Sequence, residues 1–343
     1  MNFNKDLIYK LIDNKIDTLE LHNLNEQGLN TLYHALNLNY SLKKIDLSDN
    51  YIKDITLLCK SLENNSCLQE LILFNNKIED ISPLKFLSNS CLKKLKLNNN
   101  HIEDISVLKF LSNSCLQELD LYKNQIEDIT PLKFLSNSCL KKLNLSCNKI
   151  KDIKPLKFLE NNNCLKELHL GGNQIEDITL LCKSLINNSC LEYLNLSSNK
   201  IEDLTPLKFL SNSCLKELML FNNQIKDITP LKFLSNSYLV KLGLTMNKIN
   251  DISSLKFLSN SYLKYLNLDI NQIEDISPLK FLSNSCLKKL NLSCNKIKDI
   301  SFLKFLENNS YLKELNLRCN QINKQDIQKI KELAELKHIE LII

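Results

Sequence analysis

The amino-acid sequence predicts an α/β solenoid: a right-handed, curved horseshoe with a parallel β-sheet on its concave face and short helices or 3-10 turns on its convex face. Two observations support this fold class. The pattern L-x-x-L-x-L-x-x-N recurs along the chain and closes on twelve asparagines spaced 24 to 26 residues apart. Between these copies runs a second recurring pattern, I-x-D-I-[ST]-P-L-K-F-L-S-N-S. The closing asparagines are Asn50, Asn76, Asn100, Asn124, Asn148, Asn173, Asn199, Asn223, Asn247, Asn271, Asn295 and Asn320.

The L-x-L segment of each repeat is the predicted strand. Because side chains alternate between the two faces of a strand, both leucines point into the core and the residues between and beside them point to solvent. One such strand cannot bury its apolar face alone, whereas copies stacked about 4.8 Å apart bury a continuous core. We expect about fourteen strands. The closing asparagine is expected to bond backbone groups where the chain leaves the strand, so that stacked copies form a ladder.

The second half of each repeat is expected to form a short helix or 3-10 turn on the convex side. A Ser or Thr precedes Pro in several copies, from Ser82-Pro83 to Ser277-Pro278. That order predicts a hydroxyl N-cap followed by proline at the first helical position. A phenylalanine recurs in nine of these segments, and a column of this kind indicates packing. The nine are Phe86, Phe110, Phe134, Phe158, Phe209, Phe233, Phe257, Phe281 and Phe305.

The repeats resemble those of known leucine-rich-repeat proteins. The run N-Q-I-E-D-I-[ST]-P-L, at Asn124–Leu132 and Asn271–Leu279, resembles the internalin type. It is also similar to the repeats of the leucine-rich regulatory subunit of protein phosphatase. The segment Leu24–Leu47 looks like a ribonuclease-inhibitor-type repeat with a longer helix. The resemblance covers nearly the whole chain, and it implies the solenoid fold with partner binding on the concave face.

The two ends of the chain are predicted to cap the solenoid. Residues 1–41 form an N-terminal cap and an irregular first repeat, residues 42–320 form the twelve repeats, and residues 321–343 form a C-terminal cap. Asp6–Asp13 predicts an amphipathic helix, and Lys324–Glu335 predicts a longer helix before a final strand. Irregular ends of this kind shield the exposed edges of the core. We therefore expect one domain, 1–343.

Composition argues against several classes of function. The net charge of +5 over 343 residues is too small to indicate a nucleic-acid or membrane-surface protein. The four glycines build no phosphate-binding motif, and none of the five histidines has a partner at catalytic or metal-ligating spacing. No apolar run is long enough for a membrane span. We expect no enzymatic activity and no catalytic, cofactor-binding or metal-binding residues.

Cysteine usage bears on the location of the protein. The chain has 13 cysteines, an odd number, with no C-x-x-C pair. The first residues contain no apolar run of signal-peptide length and carry acids early. These features predict a reduced, cytoplasmic protein with free thiols, either in its own cell or, if the source is a virus, in a host cell.

The candidate binding surface is the solvent-facing side of the strands. Large apolar groups there, Phe74 and Phe221 above all, are candidate anchors for a partner. An apolar cluster that only covers its own neighbours is the alternative. Charged residues on the same face would set orientation and specificity. The predicted site contains Ile72, Phe74, Lys96, Asp120, Tyr122, His169, Tyr193, Met219, Phe221, Tyr265, Asp269 and Arg318.

The function predicted from these features is a monomeric, non-enzymatic scaffold that binds a partner protein through its concave face. Two other roles remain open. One is a regulatory subunit of a protein phosphatase, which rests on the resemblance of the repeats alone. The other is a substrate-recognition subunit of a ubiquitin ligase, although the segment ahead of the first repeat is too short for an F-box. A structural repeat without a partner also remains open.

Overall fold

The computed structural model describes residues 5–112, 115–136, 138–235, 237–259, 261–283, 285–300, 303, 306 and 309–343. The chain divides into two compact units, Met1–His169 and Leu170–Ile343. The fourteen strands of the described residues are three residues long each and are divided equally between the units. This strand number confirms the prediction. Phe305, a member of the predicted phenylalanine column, lies outside the described residues.

The first unit contains seven parallel strands that follow one another in sequence order, each paired in register with the next. Its strands are β1 (Thr18–Glu20), β2 (Lys44–Asp46), β3 (Glu70–Ile72), β4 (Lys94–Lys96), β5 (Glu118–Asp120), β6 (Lys142–Asn144) and β7 (Glu167–His169). Its helices are α1 (Lys5–Ile12), α2 (Glu26–Leu36) and α3 (Thr56–Ser61), followed by the 3-10 helices Ser82–Leu87, Ser106–Leu111, Thr130–Leu135 and Lys154–Asn161. The predicted N-terminal cap helix corresponds to α1.

The second unit repeats this plan with seven more parallel strands in sequence order. Its strands are β8 (Tyr193–Asn195), β9 (Glu217–Met219), β10 (Lys241–Gly243), β11 (Tyr265–Asn267), β12 (Lys289–Asn291), β13 (Glu314–Asn316) and β14 (Glu340–Ile342). Its helices are α4 (Thr179–Ser184) and α5 (Lys324–Leu336), and its 3-10 helices are Thr205–Leu210, Thr229–Leu234, Ser253–Leu258 and Ser277–Leu282. The predicted long helix before a final strand is α5 followed by β14.

The core of each unit is aliphatic and repeats from coil to coil. In one coil Leu95 and Leu97, the two leucines of the strand segment, are fully buried, as are Ile102 and Ile105 of the following loop. Leu108 from the 3-10 helix completes this layer and is also fully buried. Burying one such side chain contributes about 1.5–3 kcal/mol. The predicted inward direction of both strand leucines is confirmed.

The closing asparagines form the predicted ladder. The Asn124 Nδ2 donates to the carbonyl oxygen of Leu121 at 3.1 Å and to that of Leu97, one repeat earlier, at 3.0 Å. The Asn124 Oδ1 accepts the backbone N–H of Ile102 at 3.1 Å. Each asparagine therefore satisfies backbone groups of two neighbouring repeats, and these groups would otherwise be buried without partners. The same pattern recurs in the second unit, for example at Asn247.

The predicted hydroxyl N-cap is wrong. Ile129 occupies the N-cap position of its 3-10 helix and has no side-chain capping bond. The acceptor is instead Asp128, whose Oδ1 receives the backbone N–H of Thr130 at 2.7 Å. Hydrogen bonds from the Thr130 hydroxyl and backbone hold the pKa of the Asp128 carboxyl below its usual value. An ionised carboxylate is a stronger acceptor than a hydroxyl, so the aspartate takes the capping role.

The predicted packing of the phenylalanine column is also wrong for part of the column. Phe158 is buried, but Phe110, Phe134, Phe257 and Phe281 are 37–43% exposed. A 3-10 helix has three residues per turn, so the leucines at its third and sixth positions share the core side and the phenylalanine between them lies to one side. The preceding lysine of each of these exposed rings places its ammonium group 5.1–5.3 Å from the ring centroid.

Candidate partner-binding site

The open face of each unit is the side of its sheet that points away from the core. It consists of three columns, formed by the first and third residues of the strands and by the residue two positions after each strand, here called the first, third and fifth columns. All twelve predicted site residues lie in these columns. Six of them belong to the first unit and six to the second. Within each unit the strand register brings its six residues onto the same face.

The first column of the first unit alternates lysine and glutamate from β2 to β7. The Lys94 Nζ lies 3.5 Å from the Glu70 Oε1 and 3.5 Å from the Glu118 Oε2. The Lys142 Nζ lies 2.8 Å from the Glu167 Oε2. Ion pairs at partly exposed sites contribute about 0–1 kcal/mol each. Because these side chains neutralise one another between strands, most of the charge in this column is already paired.

The third column of the first unit also carries charged residues, and these are half-buried. Lys96 is half-buried, and its Nζ lies 3.2 Å from the Glu118 Oε1. Asp120 is also half-buried, and its Oδ1 accepts the backbone N–H of Tyr122 at 3.0 Å. Burial raises the pKa of the Asp120 carboxyl, although the nearby charge of Lys96 acts in the opposite direction. A carboxylate held in this way gains from a cationic or hydrogen-bonding group on a partner.

The apolar residues of this unit differ in how far they reach solvent. Tyr122 is 37% exposed and Phe74 is half-buried. Ile72, a predicted anchor, is only 7% exposed. It lies between its in-register neighbours Asp46 and Lys96. This corrects its expected role, because a covered side chain supports the surface and offers little contact area. The rings of Phe74 and Tyr122 are the apolar groups that a partner could reach.

His169 ends the third column of the first unit. Its Nε2 lies 3.2 Å from the Glu167 Oε2. Burial lowers the pKa of the His169 imidazole, and the hydrogen bond with Glu167 acts against that shift. The hydrogen bond from Lys142, followed by that from His169, holds the pKa of the Glu167 carboxyl below its usual value. Burial therefore favours the neutral imidazole, and His169 contributes a polar, partly covered ring to the face.

The second unit carries the larger exposed aromatic groups. Phe221 is 41% exposed and Tyr265 is 37% exposed, while Tyr193 is half-buried. Met219 is only 7% exposed, a second correction to the expected anchors. A Cβ atom built on Gly243 would lie 3.2 Å from the Met219 Sδ, so the missing side chain of this glycine leaves the space that the thioether occupies.

Asp269 and Arg318 lie in the fifth column of the second unit. Arg318 is exposed, and its backbone N–H donates to the Asn316 Oδ1 at 3.1 Å. Among the described residues, no hydrogen bond reaches the buried Asp269 Oδ1. A buried acceptor without a partner costs about 1–3 kcal/mol, so this oxygen is a local cost to stability. Asp269 as a whole is half-buried, so it presents only part of its carboxyl group on the open face.

Asn98 has the same feature in the first unit, and the sequence prediction missed it. Its Oδ1 is buried and has no hydrogen-bond partner in the described part of the chain. Asn98 stands in the fifth column between Phe74 and Tyr122, the residues at the same position of the adjacent repeats. In the sequence, Asn98 can be recognised as a candidate because it lies between two aromatic residues of the same column.

The described residues also bear on metal-binding, membrane-spanning and thiol features. In the residues that the structure describes, no group of three or more His, Cys, Asp or Glu side chains is placed to hold a metal ion. Over the same residues, no helix has both the length and the apolar character needed to cross a bilayer. All 13 cysteines are free thiols, two of them, Cys59 and Cys182, fully buried. The open faces therefore carry the clearest binding features.

Comparison with protein families shows which repeats the chain contains. A family model described as Leucine Rich repeats (2 copies) matches residues 40–86, 68–113, 92–134, 116–158, 139–187, 164–209, 189–233 and 263–305. A second model, described as Leucine Rich repeat, matches residues 308–331. None of the curated proteins matches the sequence.

Solved structures with a similar fold come from bacteria and plants. An internalin from Listeria monocytogenes is 32% identical, with a TM-score of 0.76 over 98% of this chain and 88% of its own. A leucine-rich-repeat protein of Leptospira interrogans is 22% identical, with a TM-score of 0.67 over 100% of this chain and 99% of its own. The Arabidopsis receptor kinase HAESA, solved with the peptide hormone IDA and a co-receptor, is 18% identical, with a TM-score of 0.64 over 95% and 52%. The last two similarities concern the fold alone.

Proposed function

Because the chain belongs to the leucine-rich-repeat family, we propose that it is a non-enzymatic scaffold that binds a partner protein through the open faces of its units. The observation that carries this proposal is the exposure of aromatic rings on faces that are otherwise polar. Tyr122, Phe221 and Tyr265 are each at least 37% exposed. Aromatic side chains of this kind dominate the binding energy of protein interfaces.

The proposed mechanism is association with a surface that is already formed. The asparagine ladder holds the strands, and the ion pairs of the first column hold the side chains between the anchors. Little conformational entropy is therefore lost on binding. The aromatic rings supply buried apolar area. Asp269 adds a half-buried carboxyl group to the face of the second unit. Lys96, Asp120 and Arg318 set orientation by charge.

The proposal also covers the oligomeric state, the domain organisation, the cellular compartment and the class of partner. We propose that the chain acts as a monomer and as one domain, in a reducing, cytoplasmic compartment, and that it binds protein and not nucleic acid. The odd number of 13 cysteines supports the reducing compartment. The alternating charges of the first column argue against a phosphate-binding surface, which would need an unpaired basic stripe. Phosphatase regulation and ubiquitin-ligase recognition are distinguished by the identity of the partner.

Capture of partners by matched baits tests the proposal. One variant carries Phe74→Ser, Tyr122→Ser, Phe221→Ser and Tyr265→Ser on the open faces. A control variant carries four substitutions of equally exposed rings on the convex side, Phe110→Ser, Phe134→Ser, Phe257→Ser and Phe281→Ser. Circular dichroism melting first establishes that both are folded.

The native chain and the convex variant are expected to capture the same protein, and the open-face variant is expected to lose it. Truncating hot-spot aromatics costs about 2 kcal/mol or more each, so the loss of affinity should exceed about 100-fold. Capture that survives in the open-face variant and disappears in the convex variant would contradict the proposal.

A further inference from the structure

A polar cavity of about 310 Å³ lies in the first unit, where the chain leaves the strands of its first repeats. It is distinct from the open face, since its lining begins one residue beyond the fifth column. Asp49, Asn75 and Asn99 line it, together with Tyr51, Lys77 and His101. We propose that this cavity is a binding site for a neutral carbohydrate, a mono- or disaccharide unit of a larger glycan.

The polar lining is not required by the backbone. Asp49, Asn75 and Asn99 have positive φ angles of 59°, 55° and 56°. Asparagine and aspartate tolerate that conformation well, which would be a sufficient reason for their presence. However, Lys123 and Cys147 adopt φ of 54° and 57° at the same position of the next two repeats. Since the position accepts a long or a sulfur-containing side chain, the three consecutive polar residues need another reason.

These three side chains form one connected row. The Asn75 Nδ2 donates to the Asp49 Oδ1, and the Asn99 Nδ2 donates to the Asn75 Oδ1. Each amide has two N–H donors and each carboxylate two oxygens, so these bonds use only part of the capacity of the row. The row therefore offers donors and acceptors side by side. Adjacent hydroxyl groups of a sugar, which both donate and accept, match that alternation.

Tyr51 places an aromatic ring beside the row. Its side chain is 69% exposed, and its backbone has a φ of 56°. A bulky residue in this left-handed region costs about 1–2 kcal/mol, and such strain concentrates at functional sites. The equivalent residues of the next two repeats are Lys77 and His101, neither of which has a positive φ. The Lys77 Nζ lies 5.1 Å from the Tyr51 ring centroid, a cation–π contact with one face of the ring.

These features together select the class of ligand. An exposed ring packs against the C–H face of a sugar, while planar amides and a carboxylate bond its hydroxyls. The volume of about 310 Å³ is at the small end of ligand pockets, which suits one or two sugar rings. An apolar ligand would leave the amides and the carboxylate without partners. The charges of Asp49 and Lys77 in the lining offset one another, which favours a neutral ligand over an ion of either sign.

Saturation-transfer-difference NMR on the full chain tests this site with three neutral probes: cellotriose, chitotriose and mannotriose. At least one of them is expected to receive saturation. Tyr51→Asn removes the ring and keeps a residue that tolerates positive φ. Asn75→Met breaks the row at a position where the chain itself uses Met246 with a φ of 54°. Each substitution is expected to weaken the affinity for that probe at least tenfold.

Tyr40→Asn is the matched control, because Tyr40 is also exposed, at 66%, in the first unit and does not line the cavity. It should bind the probe as the native chain does. So should the open-face variant, because none of its four substituted residues lines the cavity. Melting temperatures establish that all variants are folded. The proposal is overturned if none of the three probes receives saturation, or if Tyr51→Asn and Asn75→Met bind as tightly as the control.

Discussion

The asparagine ladder and the open face repeat with the same period, yet the ladder residue stays the same in every repeat and the open-face residues change. The ladder position holds asparagine in all twelve repeats. The third column of the open face changes from strand to strand, from Ile72 and Lys96 in the first unit to Met219 and Gly243 in the second. The ladder residue must satisfy buried backbone groups of two repeats, whereas the open-face residue has no such groups to satisfy. The constant position serves stability, and the variable positions are available for recognition.

The largest expected effect is on the ladder side of this comparison. Asn124→Ala leaves the Ile102 N–H and the carbonyl oxygens of Leu97 and Leu121 without their side-chain partner. Each buried unpaired group costs about 1–3 kcal/mol, so the free energy of unfolding should fall by about 3–5 kcal/mol. Urea denaturation followed by circular dichroism measures the loss. Lys123→Ala, an exposed change at the neighbouring residue, should alter stability by less than about 0.5 kcal/mol. Equal urea denaturation midpoints for the two variants would contradict the stabilising role of the asparagine ladder.

A smaller effect is expected from the ion pairs of the open face. Lys94→Ala breaks contacts with both Glu70 and Glu118. Because these side chains are partly exposed and screened by solvent, the free energy of unfolding should change by less than about 1 kcal/mol. The difference from the native chain should shrink further in concentrated salt. A loss above about 2 kcal/mol would show that the first column stabilises the fold as the ladder does. That result would contradict the distinction between the ladder and the open face.

The smallest expected effect is a single pH-dependent contribution from His169. Burial lowers its folded-state pKa below 6.5, despite the opposing hydrogen bond to the Glu167 carboxylate. The unfolded chain therefore binds the proton more readily, and stability is lost as the pH falls through about 6.5 towards the folded pKa. Asp120 has a raised pKa, so its contribution has the opposite sign, and it acts above 3.8. Lys142 stays charged throughout this range.

Thermal melting of the native chain and of His169→Gln at pH about 7.5 and about 5.5 isolates this contribution. The native chain should lose more stability on acidification than the variant does. A native chain that loses less stability than His169→Gln would show that the folded imidazole has a raised pKa, contrary to the buried position that the structure gives it.

Much of the fold could be predicted from the sequence, because the features that specify it repeat. The L-x-L pattern gives the direction of Leu95 and Leu97, and the recurring asparagine gives the ladder. One error falls where two residue types compete for one role. Thr130 and Asp128 both offer an oxygen near the start of the same 3-10 helix, and only the local backbone decides in favour of the carboxylate.

The candidate site could be predicted less completely. The sequence indicates which residues leave the core, but not how much their neighbours cover them. Ile72 and Met219 point away from the core and are still buried on the open face. Met219 is buried next to Gly243, one repeat away, because the glycine has no side chain in that space. This neighbour can be identified only when the register of the strands is known. Tyr51 could not be identified from the repeat pattern, because its exposure and its positive φ are properties of the folded chain.

Hydroxyl-radical footprinting of the chain with its captured partner tests the central claim most directly, since it reports the solvent access of individual rings. Tyr122, Phe221 and Tyr265 should be oxidised several-fold more slowly in the complex than in the free chain. Phe110, Phe134, Phe257 and Phe281, which have similar exposure on the convex side, should be oxidised at unchanged rates. Protection of the convex phenylalanines, with the open-face rings unchanged, would contradict the claim that variable open-face residues carry recognition.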